Sequence, residues 1–315
     1  MRNVRTLFGT LAAVLLSAAA VSAQAPGGAP NQDQPEFIRQ GQALLRQGKL
    51  EDALALYRQV LAGQASQSAQ NLLSANIAAG NVLDLLGRGG EAREYFAKAA
   101  ETASSPQGKA AAHRALAMSY AFEGDCKKTA EAEQHVFDYY VSVKDFFQQG
   151  EIADEIARVC MDSGDLDAAA KWYETGHDAG LREPDIKPDR KDLWEFRWEH
   201  AQARIAARRG NDAEAQKHVA AAKAALDKGA NPQQAQFFPY LVGYVAFYRG
   251  DYKTALEEFL KANQNDPFIQ CYIAETYEKL GDKEKAQEFY RKASAAIAHN
   301  PPTAYARRFT KKKLS

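Results

Sequence analysis

The sequence of 315 residues predicts an all-α fold, a solenoid of about seven antiparallel helix hairpins. One basis is a set of glycines that each end a helical pattern and precede a polar residue. They recur 31 to 46 residues apart, at Gly48, Gly87, Gly124, Gly164, Gly210, Gly250 and Gly281. Strand-forming segments are almost absent. Val141-Ser142-Val143 has strand-favouring residues, but helix-favouring sequence surrounds it.

The glycines mark the turns between paired helices. Glycine closes a helix in the left-handed conformation, and a following Asp or Asn caps the next helix. Seven positions before each glycine stands Gly or Ala, five positions after it stands Ala or Thr, and an aromatic residue stands nine positions after five of them. Antiparallel helices that pack closely need small residues where their backbones cross and a large residue beside them. Each unit is therefore predicted to be an αα-hairpin.

These spacings resemble those of the tetratricopeptide repeat family. The best match runs over residues 241–262, with Gly243, Gly250, Ala255 and Phe259 at the family's positions. The resemblance covers residues 35–299 and implies a right-handed solenoid of about fourteen helices.

Two hairpins depart from the family's pattern. The hairpin around Gly124 has Glu133 in place of the aromatic residue, and the hairpin around Gly210 has Val219. The glycine spacings also exceed the family's usual period of about 34 residues, so several helices or connections are predicted to be longer than usual.

The N-terminus has the features of a secretory signal peptide. Two arginines precede an uncharged apolar run that ends at Val21-Ser22-Ala23, with small residues where signal peptidase needs them. We predict cleavage after Ala23, so that residues 1–23 are removed, and a periplasmic or secreted protein; the alternative is an uncleaved anchor. Residues 24–34 contain prolines and glycines and are predicted to be a flexible linker.

The net charge of zero conceals an asymmetry. Residues 300–315 carry five basic residues and no acid, whereas residues 24–299 carry 33 basic and 40 acidic residues. The negative body argues against nucleic acid as a partner. The sequence leaves three interpretations of the basic C-terminal tail. It is simply solvated, it forms a short capping helix that places Tyr305 and Phe309 on the last hairpin, or it contacts an anionic surface through residues 307–313.

Catalytic and cofactor motifs are missing from the sequence. None of the six histidines stands in a His-x-x-x-His pair, and neither a phosphate-binding loop nor a Gly-x-Ser-x-Gly elbow occurs. The dispersed aspartates that follow the turn glycines are better explained as caps than as general acids. We therefore predict a protein without enzymatic activity, cofactor or metal.

Three cysteines are too few for a disulfide scaffold. Cys126 opens the second helix of the third hairpin, and Cys160 ends the first helix of the fourth. Those ends lie side by side in a stacked solenoid, so a Cys126–Cys160 bridge can form in an oxidising compartment, with Cys271 left over. The alternative is that all three are small buried apolar residues.

The concave face of such a solenoid, lined by the first helix of each hairpin, is where we expect a partner to bind. The fourth hairpin supplies Glu151, Asp154, Arg158, Met161 and Asp162 to it. The candidates that we single out for a peptide-binding groove lie on the fifth and sixth hairpins: Arg197, Arg204, Arg208, Phe237, Tyr240, Tyr244 and Tyr248.

A basic wall beside an aromatic wall suits an extended peptide. Arginines bind carboxylates in a bidentate fashion, and tyrosines offer flat area with a polar end. The alternative is that these tyrosines pack against the seventh hairpin and the arginines are solvated. Trp194 and Trp198, four positions apart, are expected to pack their helix into the core.

Two functions fit these features. The first is a non-enzymatic adaptor of the cell envelope that binds a peptide or protein segment in its concave groove. The second is a structural subunit of an envelope assembly for outer-membrane biogenesis, cell-wall synthesis or secretion, held through its convex face and basic tail.

Overall fold

The computed structural model describes residues 34–63 and 67–315, and this part of the chain contains α-helices, one 3₁₀ helix and no strand. The all-α prediction is thereby confirmed. The predicted signal peptide of residues 1–23 lies outside the described residues, as does the linker except for its last residue.

Fourteen of the fifteen described α-helices pair as seven consecutive hairpins, and α15 follows them. Their bounds are α1 Glu36–Arg46, α2 Leu50–Ala62, α3 Ala69–Leu85, α4 Gly89–Thr102, α5 Pro106–Glu123, α6 Cys126–Ser142, α7 Phe146–Ser163, α8 Leu166–Leu181, α9 Pro188–Arg208, α10 Asp212–Asp227, α11 Phe238–Arg249, α12 Tyr252–Lys261, α13 Pro267–Leu280, α14 Lys283–Ser294 and α15 Pro301–Lys313. A 3₁₀ helix, Pro232–Phe237, precedes α11.

The hairpin turns have the chemistry that the glycines predict. Gly164 ends α7 with a φ of 96°, in the left-handed region that side chains rarely adopt. The carboxylate of the next residue, Asp165, accepts a hydrogen bond from the backbone N–H of Ala168 and so caps α8. Asp125, Asp251 and Asp282 cap their helices in the same way.

The small residues at the helix crossings are required by space. A Cβ atom added to Gly243 would lie 2.8 Å from the ring of Phe259, the aromatic residue of the same hairpin. Gly80 lies equally close to the Phe96 ring, so an added Cβ would overlap it. The predicted pairing of a small residue with a large one is therefore a close contact between the two helices of these hairpins.

The third hairpin has a buried acid where the other hairpins bury an aromatic or aliphatic side chain. Glu133 on α6 is fully buried, and neither carboxylate oxygen has a hydrogen-bond partner among the described residues. Burial raises the pKa of Glu133 well above its usual value; the charge of Glu155 raises it further, and that of Arg114 opposes the rise. Arg114 itself pairs with Glu155 at 2.5 Å, so Glu133 lacks a counter-ion of its own.

We expect the contribution of Glu133 to stability to fall as the pH rises above about 4.5, because folded Glu133 keeps a proton that the unfolded chain releases. Glu133→Gln should flatten this slope and raise the free energy of unfolding near neutral pH by on the order of 1–3 kcal/mol. Urea denaturation at a series of pH values measures both effects. The exposed Glu131→Gln is the control, and a wild-type slope in Glu133→Gln would contradict the prediction.

Cys126 and Cys160 form a disulfide, with Cα atoms 4.6 Å apart. It joins the start of α6 to the last turns of α7 and so links the third hairpin to the fourth. Cys271 on α13 is buried and unbridged.

Residues 300–315, predicted as a basic tail, form α15. Asn300 caps this helix by accepting a hydrogen bond from the N–H of Thr303. Tyr305 and Phe309 pack with buried Cys271 and Ala293 of the last hairpin, as the capping-helix alternative expects. The helix also contacts α5 and α7, far back in the chain. The sequence pattern did not indicate that second contact.

None of the helices in the described residues combines the length and the apolar character needed to cross a membrane.

Candidate functional site

The first helices α5, α7, α9, α11 and α13 form one continuous surface, which we call the inner face. The seven groove candidates all lie along it or at its edge, on α9, α11 and the preceding 3₁₀ helix. They differ in accessibility: Arg204, Tyr240 and Tyr244 are buried, Arg197, Arg208 and Tyr248 are half-buried, and Phe237 is exposed.

The tyrosines do not form an open aromatic wall, which corrects one part of the sequence interpretation. The Tyr244 ring lies 5.1 Å from that of Tyr272, and the Tyr240 ring lies 6.0 Å from that of Phe268. Phe268 and Tyr272 are themselves four positions apart on α13, so the two aromatic stripes pack against each other. Tyr240 and Tyr244 are core residues of the last hairpins, as the alternative interpretation expects.

Arg208 and Tyr248 form the more accessible part of the candidate groove. The Arg208 guanidinium lies 5.3 Å from the centre of the Tyr248 ring, whose hydroxyl is 3.0 Å from that of Tyr272. Arg197 stands apart from this pair, because it forms an ion pair with Glu151 and stacks 5.0 Å from Trp194.

Arg204 is a buried cation surrounded by tyrosines. Its guanidinium donates to the Tyr173 hydroxyl at 3.0 Å and lies 5.9 Å from the centre of the Tyr240 ring. Burial opposes its charge, but Tyr173, Tyr240 and Tyr244 outweigh that effect and raise the pKa of Arg204. The arginine therefore stays charged inside the fold.

Among the buried polar atoms of the first helices that have no hydrogen-bond partner in the described residues, three belong to side chains near one another: Arg158 Nε, His200 Nε2 and Tyr240 Oη. They stand on consecutive first helices, α7, α9 and α11. The His200 and Tyr240 rings are 5.4 Å apart. Arg158 and Tyr240 both contact Phe268, the former at 4.9 Å. We call Arg158, His200, Arg204 and Tyr240 the donor cluster.

The charge of the donor cluster is only partly compensated. Burial raises the pKa of Asp162 to about 6. The positive charges of the surrounding arginines oppose this rise but do not outweigh it; they belong to Arg158, Arg204, Arg308 and Arg208. Burial likewise raises the pKa of Asp154 to about 7, with Arg197 opposing. Near neutral pH part of this negative charge is lost, so the surroundings of the cluster suit an added anionic or acceptor group.

Sequence reasoning identified only half of the donor cluster as candidates. Arg204 and Tyr240 are among the groove candidates that the sequence singles out, whereas Arg158 and His200 are predicted only to line the concave face. The signal was present, because Arg158 stands six positions before its turn glycine, as Arg204 does. His200 stands ten positions before its glycine, as Tyr240 does.

The last helix covers part of the inner face next to the donor cluster. The Tyr305 ring lies 4.7 Å from that of Phe268, and Arg308 donates to the backbone carbonyl of Asp162 at 3.1 Å. Arg307 donates to the carbonyl of Leu85. Of residues 307–313, Lys311 and Lys312 remain exposed, so contact with an anionic surface stays a prediction for those two lysines.

Metal-ligating side chains do not gather in groups of three or more anywhere in residues 34–63 and 67–315. A repeat fold of this kind is typically an interaction scaffold.

Comparison with known proteins agrees with this architecture. A sequence model described as "Tetratricopeptide repeat" matches residues 270–298. No curated protein matches the chain.

Among solved structures, the apo form of RapI is 12% identical, with a TM-score of 0.53; the alignment covers 88% of this chain and 98% of that one. A Rap protein complexed with competence and sporulation factor is 14% identical, with a TM-score of 0.51, covering 88% and 74%. A tetratricopeptide repeat protein from Parabacteroides merdae is 12% identical, with a TM-score of 0.49, covering 82% and 91%.

At these identities the similarity to solved structures shows the fold alone. Together with the repeat-model match over residues 270–298 and the capped, closely packed hairpins, they show a helical solenoid built from tetratricopeptide-like repeats.

Proposed function

We propose that this protein is an exported, non-enzymatic adaptor that binds an extended peptide or protein segment on the inner face of its fourth to sixth hairpins. The observation that carries the proposal is the donor cluster, with its three unpartnered polar atoms on consecutive first helices. Buried polar groups in folded proteins are nearly always hydrogen-bonded. A bound segment would supply the missing partners.

The chemistry of the cluster indicates which groups of the segment it would bind. Burial lowers the pKa of His200 well below its usual value, so its ring is neutral near pH 7. Arg158 Nε and the Tyr240 hydroxyl are donors, and Arg204 adds positive charge beside them. A carboxylate or backbone carbonyl of the bound segment fits such a set.

A protein with a related fold offers a parallel. The Rap protein of the comparison was solved in complex with competence and sporulation factor. That parallel supports binding by a repeat fold of this kind, and the residues proposed here rest on the donor cluster alone.

Export is part of the proposal. The signal-like residues 1–23 motivate it, and the Cys126–Cys160 disulfide supports it, because structural disulfides persist mainly in oxidising compartments. The structural-subunit alternative depends on a free basic tail. We favour the adaptor, since α15 folds onto the body and leaves two lysines exposed.

Affinity selection of random linear peptides on the full mature chain tests the adaptor function. Peptides enriched on the wild type should bind Arg158→Met and Tyr240→Phe at least about tenfold more weakly. Each substitution removes one buried hydrogen bond to a charged or acceptor group of the peptide, and a loss of that size is expected from one such bond. Arg209→Met and Tyr95→Phe, which remove the same groups away from the inner face, are the matched controls. Failure to enrich any peptide, or equal affinities for all five proteins, would overturn the proposal.

Tyr240→Phe should at the same time stabilise the unliganded protein. Its hydroxyl is buried without a partner, so its removal is expected to raise the free energy of unfolding by about 1 kcal/mol. Tyr95→Phe should not stabilise, because its hydroxyl accepts a hydrogen bond from Arg58 at 3.1 Å. Urea denaturation of both variants measures the difference. A destabilised Tyr240→Phe would show that the hydroxyl has a partner in the free protein.

A further inference from the structure

We infer that α15 is a tethered, exchangeable occupant of the inner face, which the binding partner displaces. This inference rests on the proposed function, because it concerns access to the same surface. It concerns residues 299–315, which the adaptor proposal itself does not use.

The first argument is the position of α15. A helix that only capped the last hairpin would need contacts with α13 and α14. The helix makes those contacts, and in addition Ala304 packs with Met118 of α5 and Val159 of α7, in the middle of the chain. The helix thereby connects the end of the solenoid to its third and fourth hairpins.

A polar latch at the start of α15 fixes this position. His299 Nε2 lies 2.8 Å from the carboxylate of Asp84 at the end of α3, and Ser119 donates to the other oxygen of that carboxylate at 2.8 Å. The His299 ring packs between Phe96 and Phe122, at 5.6 and 5.3 Å.

Two arginines extend the latch to helix ends. Arg307 donates to the carbonyl of Leu85 at 3.2 Å, and Arg308 donates to that of Asp162 at 3.1 Å. These carbonyls belong to the last turns of α3 and α7, where the helix dipole favours a cation. They also belong to the group of carbonyls that water satisfies at an uncovered helix end, so they tolerate the departure of α15.

The apolar part of the α15 contact lacks large aliphatic side chains. Residues 301–313 contain no Leu, Ile, Val or Met; alanines and the rings of Tyr305 and Phe309 make the packing. Apolar stabilisation grows with the area buried, so this interface is held less firmly than the hairpin cores, which also bury aliphatic side chains such as Leu83 and Ile156. Local opening of α15 without unfolding of the hairpins follows.

Departure of α15 would uncover the surface next to the donor cluster. Tyr305 would leave Phe268 and Tyr272, and Arg308 would leave Asp162. A partner can bind this face only in molecules from which α15 has departed. Its apparent affinity is therefore the intrinsic affinity multiplied by the fraction of molecules that are open.

The test uses the full mature chain and a labelled synthetic peptide of residues 299–315 as probe. His299→Ala/Arg308→Ala in the chain weakens the tethered helix and leaves the site beneath it intact. The peptide should bind this variant at least about tenfold more tightly than it binds the wild type. Lys311→Ala/Lys312→Ala, which changes two exposed cations of the same helix, should behave as the wild type does. A peptide that itself carries the His299→Ala and Arg308→Ala changes should bind weakly to every chain.

Equal peptide binding by all chains, or none by the latch variant with unchanged helicity, would overturn the inference. Hydrogen exchange on the unmodified protein gives a second, variant-free measurement: amides of 301–313 should exchange faster than those of α13 and α14, and exchange of all three together would overturn it as well. Both measurements are independent of the unidentified partner. If the α15 peptide binds as expected but library selection enriches no peptide, the adaptor function alone is refuted. If library selection succeeds but the α15 peptide does not bind as expected, the exchangeable helix alone is refuted.

Discussion

Removal of the Cys126–Cys160 disulfide is expected to lower the free energy of unfolding by about 3–4 kcal/mol. The two cysteines are separated by 34 positions in the chain, and a cross-link of that span removes considerable freedom from the unfolded state. The bridge also adds a covalent link to the packing and the Arg114–Glu155 ion pair that hold these two hairpins together. Urea denaturation of Cys126→Ala/Cys160→Ala against the wild type, both without reductant, measures the loss.

Two controls separate the disulfide from the loss of cysteine side chains. Cys271→Ala removes a buried, unbridged thiol and should cost less than half as much. Dithiothreitol should bring the wild type close to the double variant and leave the double variant unchanged. A wild type that is insensitive to the reductant would contradict the expected contribution of the bridge.

Trp194→Ala should be about as damaging, with an expected loss of about 3–5 kcal/mol. Trp194 is 1% exposed. Its indole lies against Gly150 of α7 and Gly180 of α8, so closely that a Cβ at either glycine would overlap it. The ring thus fills the junction between the fourth and fifth hairpins, and its removal leaves a cavity that the two glycines cannot fill.

Trp198→Ala is the matched control, one helical turn further along α9. Trp198 is half-buried and stacks on the His177 ring at 5.0 Å, so it has less packing to lose. We expect its substitution to cost less than half as much as that of Trp194 in the same urea experiment. Equal losses would mean that Trp194 is not the main contact of this junction.

The hairpins were predictable because their determinants are local. A left-handed glycine such as Gly164, an aspartate cap such as Asp165 and a small residue opposite a ring, as Gly243 faces Phe259, all act within one hairpin. These determinants recur along the chain, so even the divergent hairpins around Gly124 and Gly210 could be placed. The family pattern did not predict that the third hairpin buries an acid at Glu133.

The candidate site was less predictable because it depends on contacts between hairpins. Sequence offsets placed Arg204 and Tyr240 on the right surface, but the spacing of Tyr240, Tyr244 and Tyr248 fits an open groove and a packed stripe equally well. The structure shows that Tyr240 and Tyr244 pack against the aromatic residues of α13. The unpartnered atoms of Arg158 and His200 became visible only once their neighbours were known.

The sequence by itself determined the class of fold, the places of the turns and the type of residue on each helix face, since helix caps and close helix crossings are set by residues near one another in the chain. Only the tertiary structure decided how the solenoid ends. It folds residues 301–313 back onto α5 and α7, through a contact between His299 and Asp84 that spans 215 positions. Such a contact depends on how the second to the seventh hairpins stack on one another, a property that no single hairpin encodes.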